Sequence, residues 1–111
     1  MKRVARLAKA DLDGGKPVRV AYPPFDVVVA RIDGTYLALE DACNHAGASL
    51  ATGWVERGCI VCPLHGYRFN LITGKLVSPR GLCADQRTFE IKDDGDAIEI
   101  WDPFELEVIA T

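Results

Sequence analysis

Apolar and polar positions alternate along this chain in short runs, not at helical spacing. Residues 18–22 and 25–32 read as strands, broken by Pro23-Pro24, which cannot contribute N–H groups to a ladder. Asp33-Gly34 predicts a tight hairpin turn into a strand over 35–40. In that strand Leu37 and Leu39 share one face, with Tyr36, Ala38 and Glu40 on the other. The far end repeats the logic. Phe89 and Ile91 alternate with Thr88, Glu90 and Lys92, Asp93-Asp94-Gly95-Asp96 predicts a turn, and Ile98 and Ile100 alternate with Glu99 and Trp101. Strands are therefore expected near 26–32, 35–40, 87–92 and 97–101, and no stretch offers a long amphipathic helix. Short strands with Gly and Pro turns predict an all-β sandwich or barrel.

The middle of the chain, about residues 42–80, is different. It is rich in Gly, Cys and His and contains both histidines. Two short motifs stand out, Cys43-Asn44-His45 and Cys62-Pro63-Leu64-His65, with sixteen residues between His45 and Cys62. Each motif supplies one thiolate and one imidazole, the soft and borderline ligands that suit iron–sulfur clusters and zinc. Gly47 and Gly66 follow the histidines closely, and glycine lets a backbone approach a cluster and aim N–H groups at its sulfurs.

Cys-x-His followed after sixteen residues by Cys-x-x-His resembles the signature of the Rieske family. The similarity extends beyond the ligands. Cys43-Asn44-His45-Ala46-Gly47-Ala48-Ser49-Leu50 with Gly53-Trp54 resembles the first cluster loop of the ferredoxins that serve bacterial ring-hydroxylating dioxygenases. Cys62-Pro63-Leu64-His65-Gly66-Tyr67-Arg68-Phe69-Asn70 with Thr73-Gly74-Lys75 resembles the second, and Val77-Ser78-Pro79-Arg80-Gly81 the proline loop that covers the cluster. The resemblance implies one [2Fe–2S] cluster, with Cys43 and Cys62 on one iron and His45 and His65 on the other. It implies an antiparallel β framework of three stacked sheets carrying a cluster-binding subdomain, about 42–80, within a single domain spanning 1–111.

The resemblance also bears on the reduction potential. High-potential members carry two further cysteines that form a disulfide between the loops, and the corresponding positions here are Ala48 and Leu64. Those members also place a serine and a tyrosine hydroxyl beside the cluster, where this chain has Tyr67 and Phe69. Hydrogen bonds to the sulfurs stabilise the reduced state, so their loss implies a low potential.

Composition narrows the function class. The 111 residues are 49% hydrophobic and 26% charged, with a net charge of −3, which fits an ordinary globular protein and argues against a nucleic-acid binder. The charged start lacks a signal-peptide core, and no apolar run approaches a membrane span, so a cytoplasmic protein is expected. In that compartment the four cysteines are expected as ligands or free thiols, with Cys59 and Cys83 as spare thiols and Trp54, Tyr67 and Phe69 as packing. Charge is unevenly spread. Residues 1–20 hold six basic and two acidic side chains, and residues 85–107 hold nine acidic and two basic ones. Either these form solvated faces, or the acidic end is a docking surface for a basic partner.

No second metal motif is present, so the reading is an electron-transfer protein and not an enzyme. It would pass electrons from a flavin-dependent ferredoxin reductase to a terminal oxygenase. The alternatives are the small subunit of an assimilatory NAD(P)H nitrite reductase and a non-redox Cys2His2 zinc module. The ligand assignment has a direct consequence. His45→Ala or His65→Ala is expected to lose the visible chromophore or alter it strongly, and Cys83→Ser to leave the absorption spectrum unchanged. Bleaching by Cys83→Ser would show a different ligand set.

Overall fold

The structure is a computed structural model, which describes residues 2–12, 14–22, 26–41, 49–63, 66–78 and 86–103. Its strands are β1 (Lys2–Ala8), β2 (Val18–Val20), β3 (Val27–Ile32), β4 (Thr35–Glu40), β5 (Trp54–Glu56), β6 (Cys59–Val61), β7 (Arg68–Asn70), β8 (Leu76–Ser78), β9 (Thr88–Asp94) and β10 (Ala97–Asp102). Short 3-10 turns cover Lys9–Leu12 and Leu50–Thr52. Among the described residues every strand pairing is antiparallel. No described helix is long and apolar enough to cross a membrane. The all-β class expected from the alternation is the one observed.

The strands form a six-stranded sheet in the order β1-β10-β9-β4-β3-β2 and a four-stranded sheet in the order β5-β6-β7-β8. The resemblance implies three sheets, and here two of them are continuous through β9. The start of β9 pairs with β4 (Ala38 with Phe89, Leu39 with Thr88), and the rest pairs with β10 (Trp101 with Glu90 through to Ala97 with Asp94). One strand thus serves two neighbours along its length.

The β3–β4 hairpin is buried on both faces. Val27, Val29 and Ala38 join Leu12, Phe89, Ile98 and Ile100 in one apolar cluster. Val28, Ala30 and Leu39 join Leu50, Ile60, Cys62, Tyr67, Phe69 and Leu71 in the other. The unbroken apolar run of Val27-Val28-Val29-Ala30 is what a strand between two cores requires, because successive side chains point to opposite faces. The hairpin is therefore the central layer, with β1, β9 and β10 on one side and the four-stranded sheet on the other.

β5 to β8 lie in the stretch 42–80, where the sequence reading placed no strand, and two further elements differ from it. β1 is a strand that apolar alternation did not announce, because three of its four exposed positions are basic and its register slips at a bulge between Arg3 and Ala5. β9 runs on through Asp93 and Asp94, leaving only Gly95 and Asp96 as the turn. Both differences have one cause. β1 pairs with β10, and the cations of β1 and of the turn after it stand against the acids of β9 and β10: Arg3 reaches Glu99 at 3.3 Å, Lys9 reaches Asp93 at 2.9 Å, and Arg6 meets Asp94 and Glu99. The hydrogen bond from Lys9 holds the Asp93 carboxyl below the usual carboxylate range. The charge asymmetry of the sequence is thus largely strand pairing. The acids at 93, 94 and 99 do not form an unmatched docking patch.

Two glycines mark where backbones meet. A Cβ on Gly53 would lie 1.8 Å from the carbonyl oxygen of Val61, so only glycine lets the chain leaving Leu50–Thr52 cross the end of β6. A Cβ on Gly74 would lie 2.1 Å from the carbonyl oxygen of Gln86, and Gly74 has φ +74°. Gly15 has nearly the same φ, +75°, but open space where its Cβ would go. Gly15→Ala therefore costs the left-handed backbone alone, about 1 kcal/mol, and Gly74→Ala adds an overpacking cost of about 1–3 kcal/mol. Urea unfolding of the two variants checks this, and equal losses would contradict the close approach.

Candidate metal centre

Cys62 follows β6 directly. It shares the inner face with Ile60 and is 1% exposed. The chain turns back immediately: the Cys62 N–H donates to the Tyr67 carbonyl at 2.8 Å, and the Gly66 N–H donates to the Cys62 carbonyl at 3.0 Å. This closure begins at the first residue of the motif Cys62-Pro63-Leu64-His65, of which Cys62 and Pro63 are described. Tyr67 and Phe69 are buried beside Cys62 in the same cluster, as packing. Cys59 lies on the other face of β6, half-buried, paired across the sheet with Glu56 and Asn70. Neither Cys59 nor Cys62 forms a disulfide among the described residues.

The ends of the first motif's segment, residues 41 and 49–51, meet at one buried carboxylate. Asp41 is 3% exposed. Its Oδ2 accepts from Ser49 Oγ at 2.7 Å and its Oδ1 from the Ala51 N–H at 2.9 Å. Its carbonyl accepts from the Leu50 N–H at 2.8 Å, and its own N–H donates to the Asp26 carbonyl at 3.1 Å. Asp26 adopts φ +53°, and its carboxylate accepts from the Tyr22 N–H at 2.9 Å and from Arg19. Those two donors, the Tyr22 N–H first, hold the Asp26 carboxyl below the usual carboxylate range. Leu50, fully buried, then carries the chain into the cluster that holds Cys62.

A third segment, 79–85, is anchored at both ends on the same neighbourhood. It leaves from β8. At its far end Gln86 is 3% exposed, and its side-chain amide donates to the Glu40 carbonyl at 2.8 Å. The Gln86 N–H donates to the Gly74 carbonyl, and the Glu40 N–H donates to the Arg87 carbonyl, each at 2.8 Å. Asn70 closes the turn before Gly74, its Oδ1 accepting from the Ile72 and Thr73 N–H groups. The end of β4 thus links the bases of the first and third segments, and the core cluster and Gly53 link the first to the hairpin at Cys62.

Trp54 corrects the sequence reading. It was expected to pack, but it is 48% exposed, because it lies at the start of the edge strand β5 on the face turned away from the core. Its Nε1 donates to Glu56 at 3.2 Å, and Arg68 meets the same Glu56 oxygen at 3.2 Å. The Trp54 hydrogen bond, followed by the Arg68 charge, holds the Glu56 carboxyl low. Sequence reasoning missed Asp41 and Gln86 altogether. Each has a polar neighbour in sequence, Glu40 before Asp41 and Asp85 and Arg87 beside Gln86, and only the folded geometry shows it to be buried.

Of the expected ligands, Cys62 is among the described residues, and Cys43, His45 and His65 lie outside them, as do Ala48, Leu64, Pro79, Arg80, Gly81 and Cys83. Among the described residues no three His, Cys, Asp or Glu side chains come together as a metal site. What is described fits an iron–sulfur centre. A thiol stands at the mouth of a tight hairpin in dry, apolar surroundings, where solvent exclusion helps set a cluster's potential.

Known proteins agree with this geometry. Residues 2–90 match the family model described as the Rieske [2Fe–2S] domain. The ferredoxin component of biphenyl 2,3-dioxygenase from Rhodococcus jostii is 32% identical over 91 residues, covering 82% of this chain and 84% of that protein. The ferredoxin of carbazole 1,9a-dioxygenase from Nocardioides aromaticivorans superposes with a TM-score of 0.81 at 26% identity, covering 91% of this chain and 98% of that one. A chain from a complex of reduced oxygenase and oxidised ferredoxin in carbazole 1,9a-dioxygenase also gives 0.81, at 28% identity, covering 95% of this chain and 97% of that one. With the motif, the fold and these matches in accord, the chain belongs to the Rieske [2Fe–2S] domain family and is similar within it to the ferredoxin components of dioxygenases.

Proposed function

We propose that this chain is a one-electron carrier, a Rieske ferredoxin that delivers electrons from a flavin-dependent reductase to a terminal ring-hydroxylating oxygenase. The observation that carries the reading is the buried Cys62 at the head of its hairpin, in a chain matching the Rieske domain over residues 2–90. Cys43 and Cys62 would hold one iron through thiolates, and His45 and His65 the other through imidazoles. The [2Fe–2S] cluster would supply storage for a single electron. We read the chain as one unit over 1–111, with the cluster-bearing part at about 42–80, working in the cytoplasm.

Two features of the relatives support a carrier with an oxygenase partner. This chain covers 98% of the Nocardioides ferredoxin of carbazole 1,9a-dioxygenase. The second structural relative belongs to a complex of oxygenase and ferredoxin. The protein's own part is to hold the ligands on closed loops, exclude water from the Cys62 side and set the potential.

The potential should be low. Phe69 is fully buried in the Cys62 cluster and has no hydroxyl to donate to sulfur. Rieske centres span about −150 to +300 mV, and this chain belongs toward the lower end. A low value matches a reductase fed by a reduced nicotinamide. Spectroelectrochemical titration at neutral pH tests the assignment, and a midpoint above about +100 mV would contradict it.

A further inference from the structure

We propose that Asp41 is a positioning residue for the cluster: its buried carboxylate ties the two ends of the segment bearing Cys43 and His45. It thereby fixes the first ligand pair relative to the second. The inference rests on the cluster reading above, but its observations are independent of that reading.

Asp41 is 3% exposed, and burying a carboxylate is costly unless its oxygens are hydrogen-bonded. Both carboxylate oxygens are used, and both donors, Ser49 Oγ and the Ala51 N–H, lie just past the segment that Asp41 precedes. Its carbonyl takes a third bond from the same side, the Leu50 N–H. Asp41 is itself anchored by its N–H to the Asp26 carbonyl, and Arg19 stands 3.6 Å from its carboxylate. One residue therefore closes the span 41–51 with three bonds and holds that closure to the framework with a fourth. Leu50, between two of those donors, packs in the same cluster as Cys62, so the closure is referenced to the second ligand hairpin. Partners behind the ligands orient them and strengthen metal retention, and their removal typically costs about 10–100-fold in affinity.

The test uses the purified holoprotein and compares Asp41→Ala, Asp41→Asn and Ser49→Ala with Ile98→Ala. Ile98 is a fully buried residue of the other core, so its truncation destabilises the fold without touching the segment ends. The readouts are the bleaching rate of the visible chromophore in EDTA and the g values of the dithionite-reduced protein by EPR. Asp41→Ala should bleach at least about tenfold faster than wild type and shift the g values. Asp41→Asn keeps an oxygen for the Ala51 N–H and an amide for Ser49, so it should restore both readouts close to wild type. Ile98→Ala should leave the g values unchanged. Ser49→Ala, which removes one bond of the three, should bleach at an intermediate rate and decides the matter if Asp41→Ala does not fold. A coloured wild type whose Asp41→Ala or Ser49→Ala variant bleaches no faster, or no differently from Ile98→Ala, overturns the role of Asp41 and leaves the cluster reading intact. A colourless wild type overturns the cluster reading, and this inference with it.

Discussion

Everything in this molecule hangs from the burial of one hairpin on both of its faces. β3 and β4 carry Val27, Val29 and Ala38 into one core and Val28, Ala30 and Leu39 into the other. At roughly 25 cal/mol for each Å² of apolar surface removed from water, such side chains contribute about 1.5–3 kcal/mol apiece for the larger ones. A strand held from two sides cannot slip register, because a slip of one residue would exchange the sets meant for the two cores. The end of β4 is therefore a fixed point, and Glu40 and Asp41 stand there.

The ligand-bearing region is built outward from that point by hydrogen bonds. Asp41 closes the first segment, and Gln86 fastens the far end of the third to Glu40 and Gly74. The second cluster carries the connection to the hairpin at Cys62, which closes on itself through Tyr67. Polar groups buried at these bases are satisfied, and no described buried side-chain nitrogen or oxygen lacks a partner. The opposite side of the molecule follows a different rule. There β1, β9 and β10 meet solvent, and matched charges take the place of apolar packing, with Asp102 buried under Tyr22 and Arg87 as the exception. Exposed pairs of this kind add little stability each, but like charges placed opposite would oppose the register.

Much of this was legible in the sequence, for physical reasons. β4, β9 and β10 were readable because period-two alternation and the two turn signals act over a few residues, and β3 because of its short apolar run before the Asp33-Gly34 turn. The ligand motif was readable because soft donors at fixed spacing are rare by chance. Other features depend on partners distant in sequence. Nothing local says that Asp41 will be buried, because its donors are eight and ten residues away and its anchor at Asp26 lies fifteen residues back. β1 was missed because its fitness as a strand lies in acids more than eighty residues on. Trp54 was misjudged because a large aromatic on an edge strand can face either way, and here a hydrogen bond to Glu56 keeps the indole at the surface.

The central claim is that Cys43, His45, Cys62 and His65 hold a [2Fe–2S] cluster. The most direct measurement is metal and sulfide analysis of the protein purified without air. A [2Fe–2S] cluster on these ligands gives about two irons and about two acid-labile sulfides per chain, with the cluster lost or strongly altered when His45 or His65 is replaced by alanine. A stoichiometric zinc content with no labile sulfide would contradict it, since that is the composition of a structural Cys2His2 site.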